Sequence, residues 1–211
     1  MMKVFVVGGV GIGAEIIDAL LAESGHAVEL AGFYDDDQRL RRNGPENVAY
    51  LGTLGDLVDN PPAEARYILG LDDNPARLRA AQALGQTELE PFSFQHPTAV
   101  VSAQAVVEPG AYIGAYSFVG PRVTIGKHAI INVSASVGFA AQIAELAQIC
   151  PGARISRCCN IGGAAFIGSN AIISPSVTIG ARARVAAGSF VFRNVPPDRM
   201  AMGIPGRIVD E

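Results

Sequence analysis

A six-residue period of branched aliphatic residues runs through the second half of the chain. Val or Ile occupies every sixth position from Val101 to Val191, sixteen positions in one register. Four residues after each aliphatic comes a small or short residue, and a glycine often follows the aliphatic directly, as at Gly114. This period fits neither a helix nor an alternating strand. It predicts a β-helix in which each hexad supplies one short strand and one turn.

The repeat resembles the hexapeptide-repeat, left-handed β-helix acyltransferases. In that family three hexads close one triangular coil, so residues about 18 apart share a column. The resemblance therefore implies about five coils. An ordinary β-sandwich has no reason to keep so strict a spacing.

The first part of the chain alternates strand and helix patterns. We predict strands at residues 3–7, 27–33 and 67–71 and helices at 14–22 and 75–84. Such alternation indicates a small parallel sheet of Rossmann type. The predicted fold is thus α/β followed by all-β. A Rossmann-like domain spans 1–85, a connector spans 86–97, and a left-handed parallel β-helix with a C-terminal tail spans 98–211.

A glycine-rich turn, residues 8–13, joins the first strand to the first helix. Backbone N–H groups at a helix N-terminus suit a phosphate or a nucleotide sugar, although a glycine turn also serves close packing alone. Asp35–Asp37 lie about 20 residues downstream, where a dinucleotide fold places its ribose-binding carboxylate. A solvated turn is the alternative. Because the domain is only half of a dinucleotide domain, we favour a mononucleotide or nucleotide sugar over NAD.

Composition excludes several classes of protein. The net charge is −4 and the pI about 5.4, so there is no basic footprint for nucleic acid. No apolar run approaches the roughly 20 residues of a membrane span, and the start lacks a signal peptide, so we expect a cytoplasmic protein. The three cysteines match no zinc spacing, and no metal is implied.

A second resemblance is more specific and covers nearly the whole chain. It rests on the glycine turn, Phe33-Tyr-Asp-Asp-Asp37, Asp73-Asn-Pro-Ala-Arg77, His96-Pro-Thr-Ala99, the hexads and the Gly203-Ile-Pro-Gly-Arg207 tail. Together they resemble the sialic-acid O-acetyltransferase and bacillosamine/perosamine N-acetyltransferase group. That resemblance implies a homotrimer, a nucleotide amino sugar held by the N-terminal domain, and acetyl-CoA in the groove between neighbouring β-helices.

The resemblance also assigns residues. The substrate-binding positions are Gly8, Gly9, Gly11, Gly13, Asp35, Asp36, Asn74 and Arg77. The positions close to acetyl-CoA are Arg157, Gly188, Arg193, Gly203, Pro205 and Arg207. Basic side chains there suit the CoA phosphates.

The chain departs from the family where the general base belongs. Phe139 occupies the position of the histidine, Ala140 that of its acidic partner, and Gln148 that of a second histidine. Ile12 stands where the family often has histidine, and Arg157 where it usually has glycine. We expect the three histidines present, His26, His96 and His128, to be surface residues, with His128 on an outward position.

A missing base disfavours hydroxyl acceptors more than amines, because part of a sugar amine is already free base near neutral pH. The sequence therefore predicts acetyl-CoA-dependent N-acetylation of a nucleotide-linked amino sugar, for surface glycan synthesis, with Asn132 and Gln148 orienting the reactants. The alternatives are a trimeric binding or scaffold homologue, in which Arg157 stacks on Phe139 and closes the site, and an acyltransferase with a different acceptor.

Overall fold

The chain divides into two units, Met1–Phe92 and Ser93–Glu211. The computed structural model describes residues 2–22 and 28–209. The division falls inside the stretch 86–97, and this stretch carries one short strand in each unit, Glu90–Pro91 and Phe94–Gln95. Within the described ranges, no helix has both the length and the apolar character needed to cross a membrane.

The first unit is a five-stranded parallel sheet flanked by helices. Its strands are β1 (Met2–Val7), β2 (Val28–Tyr34), β3 (Tyr50–Gly52), β4 (Ala65–Leu69) and β5 (Glu90–Pro91), in the order β3-β2-β1-β4-β5. Its helices are α1 (Ile12–Ala22), α2 (Leu40–Asn43), α3 (Leu54–Asp59) and α4 (Asn74–Leu84). The chain leaves β1 to one side and returns to its other side at β4, so a crevice forms beyond the carboxyl ends of these two strands.

Local sequence explains these elements. Residues 4–7 of β1 form a continuous buried run because this strand lies in the middle of the sheet. Ile16, Ile17 and Leu20 form the buried face of α1. α4 begins where Asp73 accepts a hydrogen bond from the N–H of Ala76 at 2.8 Å. The predicted strands and helices of this unit are present, whereas β3, β5, α2 and α3 were not predicted.

The second unit is a parallel β-helix of triangular cross-section. Sixteen two-residue strands, one per hexad, run from β7 (Val100–Val101) to β22 (Phe190–Val191). They are β8 (Val106–Val107), β9 (Tyr112–Ile113), β10 (Phe118–Val119), β11 (Thr124–Ile125), β12 (Ile130–Ile131), β13 (Ser136–Val137), β14 (Gln142–Ile143), β15 (Gln148–Ile149), β16 (Arg154–Ile155), β17 (Asn160–Ile161), β18 (Phe166–Ile167), β19 (Ile172–Ile173), β20 (Thr178–Ile179) and β21 (Arg184–Val185) between these two. β6 (Phe94–Gln95) precedes them, and β23 (Met200–Met202) and β24 (Arg207–Val209) follow.

Each strand pairs with the strand three positions later, for example Val119 with Val137 and Val137 with Ile155. The result is three walls, in which every strand pair is parallel except the last, β23 with β24. They are β7-β10-β13-β16-β19-β22 (wall 1), β8-β11-β14-β17-β20 (wall 2), and β6-β9-β12-β15-β18-β21-β23-β24 (wall 3). The second residue of each two-residue strand is the aliphatic one that points inward. From Ile113 to Val191 these residues form one continuous buried core, as the period predicted.

The corners have a regular backbone. From Gly110 to Gly188 one residue in each hexad has a φ between 52 and 81°, and eleven of these fourteen residues are not glycine. A non-glycine residue in this region costs on the order of 1 kcal/mol. The cost is offset by a ladder of corner hydrogen bonds, such as Ala140 N–H to Pro121 O at 2.9 Å and Cys158 N–H to Phe139 O at 2.8 Å.

The tail folds back on the last coil. β23 continues wall 3 beside β21, and β24 runs antiparallel to β23. The N–H of Gly206 donates to the carbonyl of Phe190 at 2.7 Å. The tail thereby covers the end of the column of aliphatic side chains.

Candidate active site

The glycine turn after β1 is held closely against its neighbours. Gly8 has a φ of 113°, and its N–H donates to the carbonyl of Tyr34 at 2.8 Å. A side chain on Gly13 would collide with the backbone of Gly8 and Gly70, so the turn permits the close approach of α1 to β1 and β4. Close packing of the turn is therefore a sufficient reason for its four predicted glycines, without a bound ligand.

Asp35 and Asp36 lie at the end of β2, beside this turn. The two carboxylate oxygens of Asp35 accept from the N–H groups of Gly9 and Asp37, both at 2.8 Å. Asp36 accepts from the N–H of Leu54 at 2.9 Å. Both carboxylates thus order the loops around the crevice, and each retains lone pairs that can accept from a ligand.

Asp72, to which the sequence analysis gave no role, lies over the turn. Its carboxylate accepts from the N–H of Ile12 at 3.3 Å and occupies the space that a side chain on Gly11 would need. Burial, with the charge of Asp72 as the second cause, raises the pKa of Glu15 in the first turn of α1. A phosphate at this helix N-terminus would meet the Asp72 carboxylate, whose oxygens can instead accept from the O–H and N–H donors of a ribose or base.

Asn74 and Arg77 form one pair in α4. The guanidinium of Arg77 is fully buried and donates from Nη1 to the side-chain oxygen of Asn74 at 3.1 Å. Arg77 therefore positions the half-buried Asn74 from below, and only Asn74 of this pair is open to the crevice edge.

In the β-helix, Phe139 stands on the corner that leads from wall 1 to wall 2. Phe139 is 44% exposed. The guanidinium carbon of Arg122, in the preceding coil, lies 5.6 Å from the ring centroid. The expected partner, Arg157, is an exposed residue of the next coil, but the guanidinium over the ring belongs to Arg122. The scaffold hypothesis therefore named the wrong arginine as the residue that stacks on Phe139.

Asn132 and Gln148 lie elsewhere in the same chain. Gln148 belongs to wall 3, which is opposite the corner of Phe139, and Asn132 stands on the corner that follows wall 3. Both side chains are buried, and Asn132 Oδ1 accepts from the N–H of Val133 at 2.6 Å. One chain alone does not bring these two residues and Phe139 into one site.

A cavity of about 310 Å³ lies between the tail and the last coil. Arg193, Pro205 and Arg207 line it, and the guanidinium of Arg193 lies 5.3 Å from the ring centroid of Phe192. Of the other predicted cofactor positions, Gly188 is a corner residue with open space around it, and Gly203 is the first residue of the turn between β23 and β24.

Comparison with known proteins gives the same architecture. The model of the bacterial transferase hexapeptide family (six repeats) matches residues 158–193. A search of curated sequences finds no match. A solved structure of perosamine N-acetyltransferase from Caulobacter crescentus, a histidine-to-asparagine variant in complex with CoA and GDP-perosamine, is 27% identical. It covers 99% of this chain and 97% of its own, with a TM-score of 0.89. Residues 158–193 therefore carry the repeats of the bacterial transferase hexapeptide family.

Two further structures share the fold of this hexapeptide-repeat chain. The acetyltransferase domain of PglB from Neisseria gonorrhoeae, in complex with acetyl coenzyme A, is 22% identical, covers 99% of both chains and has a TM-score of 0.87. WeeI from Acinetobacter baumannii is 21% identical, covers 99% of this chain and 100% of its own, and has a TM-score of 0.85. The spiral is accordingly the left-handed β-helix, and the first unit is Rossmann-like, as predicted.

Neither of the two histidines that the structure describes stands beside Phe139. His26 lies outside the described residues. His96 precedes the first coil, and its Nδ1 lies 2.9 Å from the hydroxyl of Thr98. His128 was expected on the surface, but it is buried, with 4% of its area exposed. It stands on the corner between walls 2 and 3, so it is one corner away from Phe139. No cluster of metal-ligating side chains occurs in the part of the chain that the structure describes.

Proposed function

We propose that the chain is an acetyl-CoA-dependent N-acetyltransferase that acts on a nucleotide-linked amino sugar. The observation that supports this most strongly is the similarity, over 99% of the chain, to an N-acetyltransferase bound to CoA and GDP-perosamine. We further propose a role in surface glycan biosynthesis, where such sugars are consumed.

The crevice beyond β1 and β4 would hold the nucleoside. Asp35, Asp36 and Asn74 lie along this edge, and their side chains suit the N–H and O–H donors of a base and a ribose. Because Asp72 covers the helix N-terminus, the diphosphate would lie away from the turn.

The cavity under the tail would hold the phosphate end of acetyl-CoA. Arg193 and Arg207 are exposed there, and Arg157 stands in the column of Arg193, two coils earlier. Guanidinium groups bind phosphate oxygens through charge-assisted hydrogen bonds. Acetyl-CoA itself supplies an activated thioester.

The acceptor would be an amine, because no imidazole or carboxylate among the described residues stands beside Phe139 to accept a proton. The amine nitrogen attacks the thioester carbon, the carbon–sulfur bond breaks, and the nitrogen loses one proton as the CoA thiol forms. Positioning of two bound reactants is worth many orders of magnitude without acid–base help.

We propose that the active unit is a trimer of this chain. Asn132 and Gln148 lie on a different side of the triangle from Phe139, so only a second copy would complete a site that contains all three. Wall 1 also presents exposed apolar side chains, among them Phe118 and Ile172, that a second copy would cover.

Release of free CoA thiol from acetyl-CoA tests the function. The purified chain would be assayed with GDP-perosamine and with UDP-linked 4-amino sugars, each beside its 4-hydroxy counterpart, with mass detection of the acetylated product. We expect transfer to an amine and none to a hydroxyl. Transfer to hydroxyl sugars alone would contradict the proposal.

A second candidate is a binding or scaffold protein without turnover. Phe139 and Arg122 occupy the corner that the family leaves to its catalytic pair, and this observation favours such a role. Thermal-shift titrations separate the two candidates, since a ligand stabilises the state that binds it. An enzyme responds to both CoA and the nucleotide sugar, whereas a scaffold responds to the sugar alone.

A further inference from the structure

The corner of Phe139 is surrounded by arginines that lack acidic partners. Arg122 lies in the coil before it, Arg157 in the coil after it, and Arg154 on the adjoining strand β16. All three are exposed, and within residues 2–22 and 28–209 none of them makes an ion pair. The corner is therefore a concentration of positive charge around an aromatic ring.

The other side chains named at this corner carry no fixed charge. Ser136 and Gln142 lie on the strands before and after it, and Thr124 lies on the strand below Gln142. The thiol of Cys158 stands beside Arg157, and the N–H of Cys158 bonds to the Phe139 carbonyl. Glu145, the carboxylate nearest to Gln142 along the chain, belongs to the next corner.

Arg122 is the arginine of the three whose guanidinium is fixed against the ring. A guanidinium at 5.6 Å from a ring centroid is within the range of cation–π attraction. This contact holds a permanent positive charge at the position where the family has a proton acceptor. Arginine suits the task because it stays protonated at every working pH.

We propose that Arg122 holds the acceptor sugar in its neutral amine form and so replaces the missing base. The inference rests on the proposed N-acetyltransferase function, which places the acceptor at this corner. A like charge within about 4–6 Å disfavours a cation, and at a partly exposed site the effect is on the order of one pKa unit. The ammonium releases its proton to water on binding, which leaves the lone pair free to attack the thioester.

Proton release on binding tests this directly and needs no turnover. GDP-perosamine would be titrated calorimetrically into the chain with CoA present, between pH 6.5 and 9.5 and in two buffers of different ionisation enthalpy. A UDP-linked 4-amino sugar would be used instead if that is the sugar that binds. For a bound amine whose pKa is lowered by about one unit, release peaks at about half a proton per sugar. We expect this peak in the natural chain and in Arg122→Lys, and its loss in Arg122→Gln.

The matched control is Arg184→Gln. Arg184 also lies over a ring, that of Phe166 at 4.8 Å, but on wall 3. Its removal should leave proton release unchanged. The pH profile of acetyl transfer should move about one unit to higher pH in Arg122→Gln and stay in place in the control.

Two results would overturn the inference and still leave the proposed function standing. If Arg122→Gln weakens CoA binding and leaves proton release intact, the arginine serves the CoA phosphates. If it lowers the rate equally at every pH, its role is structural. Absence of amino-sugar binding and of transfer in the natural chain would instead refute the function itself, and the inference with it.

Discussion

The carboxylate of Asp35 accepts a hydrogen bond from the N–H of Gly9, 26 residues earlier in the chain, at 2.8 Å. Its second oxygen accepts from the N–H of Asp37 at the same distance. One side chain thus ties the glycine turn to the loop after β2, and it does so before any ligand is bound.

Asp35→Asn should loosen this connection, because the amide presents a donor to one of the two N–H groups. A donor left without an acceptor costs about 1–3 kcal/mol. We expect faster hydrogen exchange at the Gly9 and Asp37 amides and a less stable first unit. Asp36→Asn is the control, since it affects one exposed bond. Unchanged exchange in Asp35→Asn with lost sugar binding would make Asp35 a ligand group only.

Gly162 and Gly163 are neighbours with different environments. A methyl group on Gly162 would lie 2.5 Å from the N of Ala181 in the next coil, whereas one on Gly163 would have 3.6 Å to the Glu145 carbonyl oxygen. Gly162→Ala should therefore cost about 1–3 kcal/mol through forced displacement of the coil. Gly163→Ala should be neutral or slightly stabilising. Denaturant unfolding of both variants decides this, and equal losses would count against the tight coil stacking.

Tyr67 gives the first unit a sensitivity to alkali. Burial in the centre of β4 raises the pKa of Tyr67 to about 12. Because the folded-state pKa lies above the unfolded value near 10, the neutral phenol stabilises the fold fully below pH 10. That stability is lost as pH rises towards 12, by about 2 kcal/mol. Between pH 9 and 12 the free energy of unfolding should fall more steeply with pH for the natural chain than for Tyr67→Phe. The same pH dependence in both chains would contradict the burial of the phenol.

Restoring a base should help hydroxyls more than amines. In the double variant Phe139→His with Ala140→Glu, a general base contributes about 10²–10⁴-fold where proton removal limits the rate. We expect transfer to the 4-hydroxy sugar to become measurable and transfer to the amine to gain far less. Thiol release with the paired substrates measures both, and equal gains would show that proton removal limits the amine reaction as well.

The sequence predicted the β-helix because its information is local and repeated. Each hexad carries an inward aliphatic, such as Ile131 or Ile149, and a small corner residue, so the period alone defines the wall, the register and the column. In the first unit the long apolar runs predicted β1, β2 and β4 in the same way.

What the period cannot encode is how side chains reach across coils and what covers them. Arg122, not the in-column Arg157, lies over Phe139, because a corner residue with positive φ directs its side chain differently from its neighbours. The burial of His128 likewise depends on packing outside its own hexad. α3 was missed although Thr53 and Asp56 form a capping box at its start, a signal that the sequence does contain.

Because each strand pairs with the strand three hexads later, the β-helix keeps its register only if its length changes by whole coils of three hexads. Duplicating one complete coil would lengthen the spiral by about 4.8 Å and leave every column intact. Inserting a single hexad would instead turn everything beyond it by a third of a revolution. Arg193 would then leave the edge it shares with Phe139 and Arg157, so natural and engineered length variants should differ by whole coils.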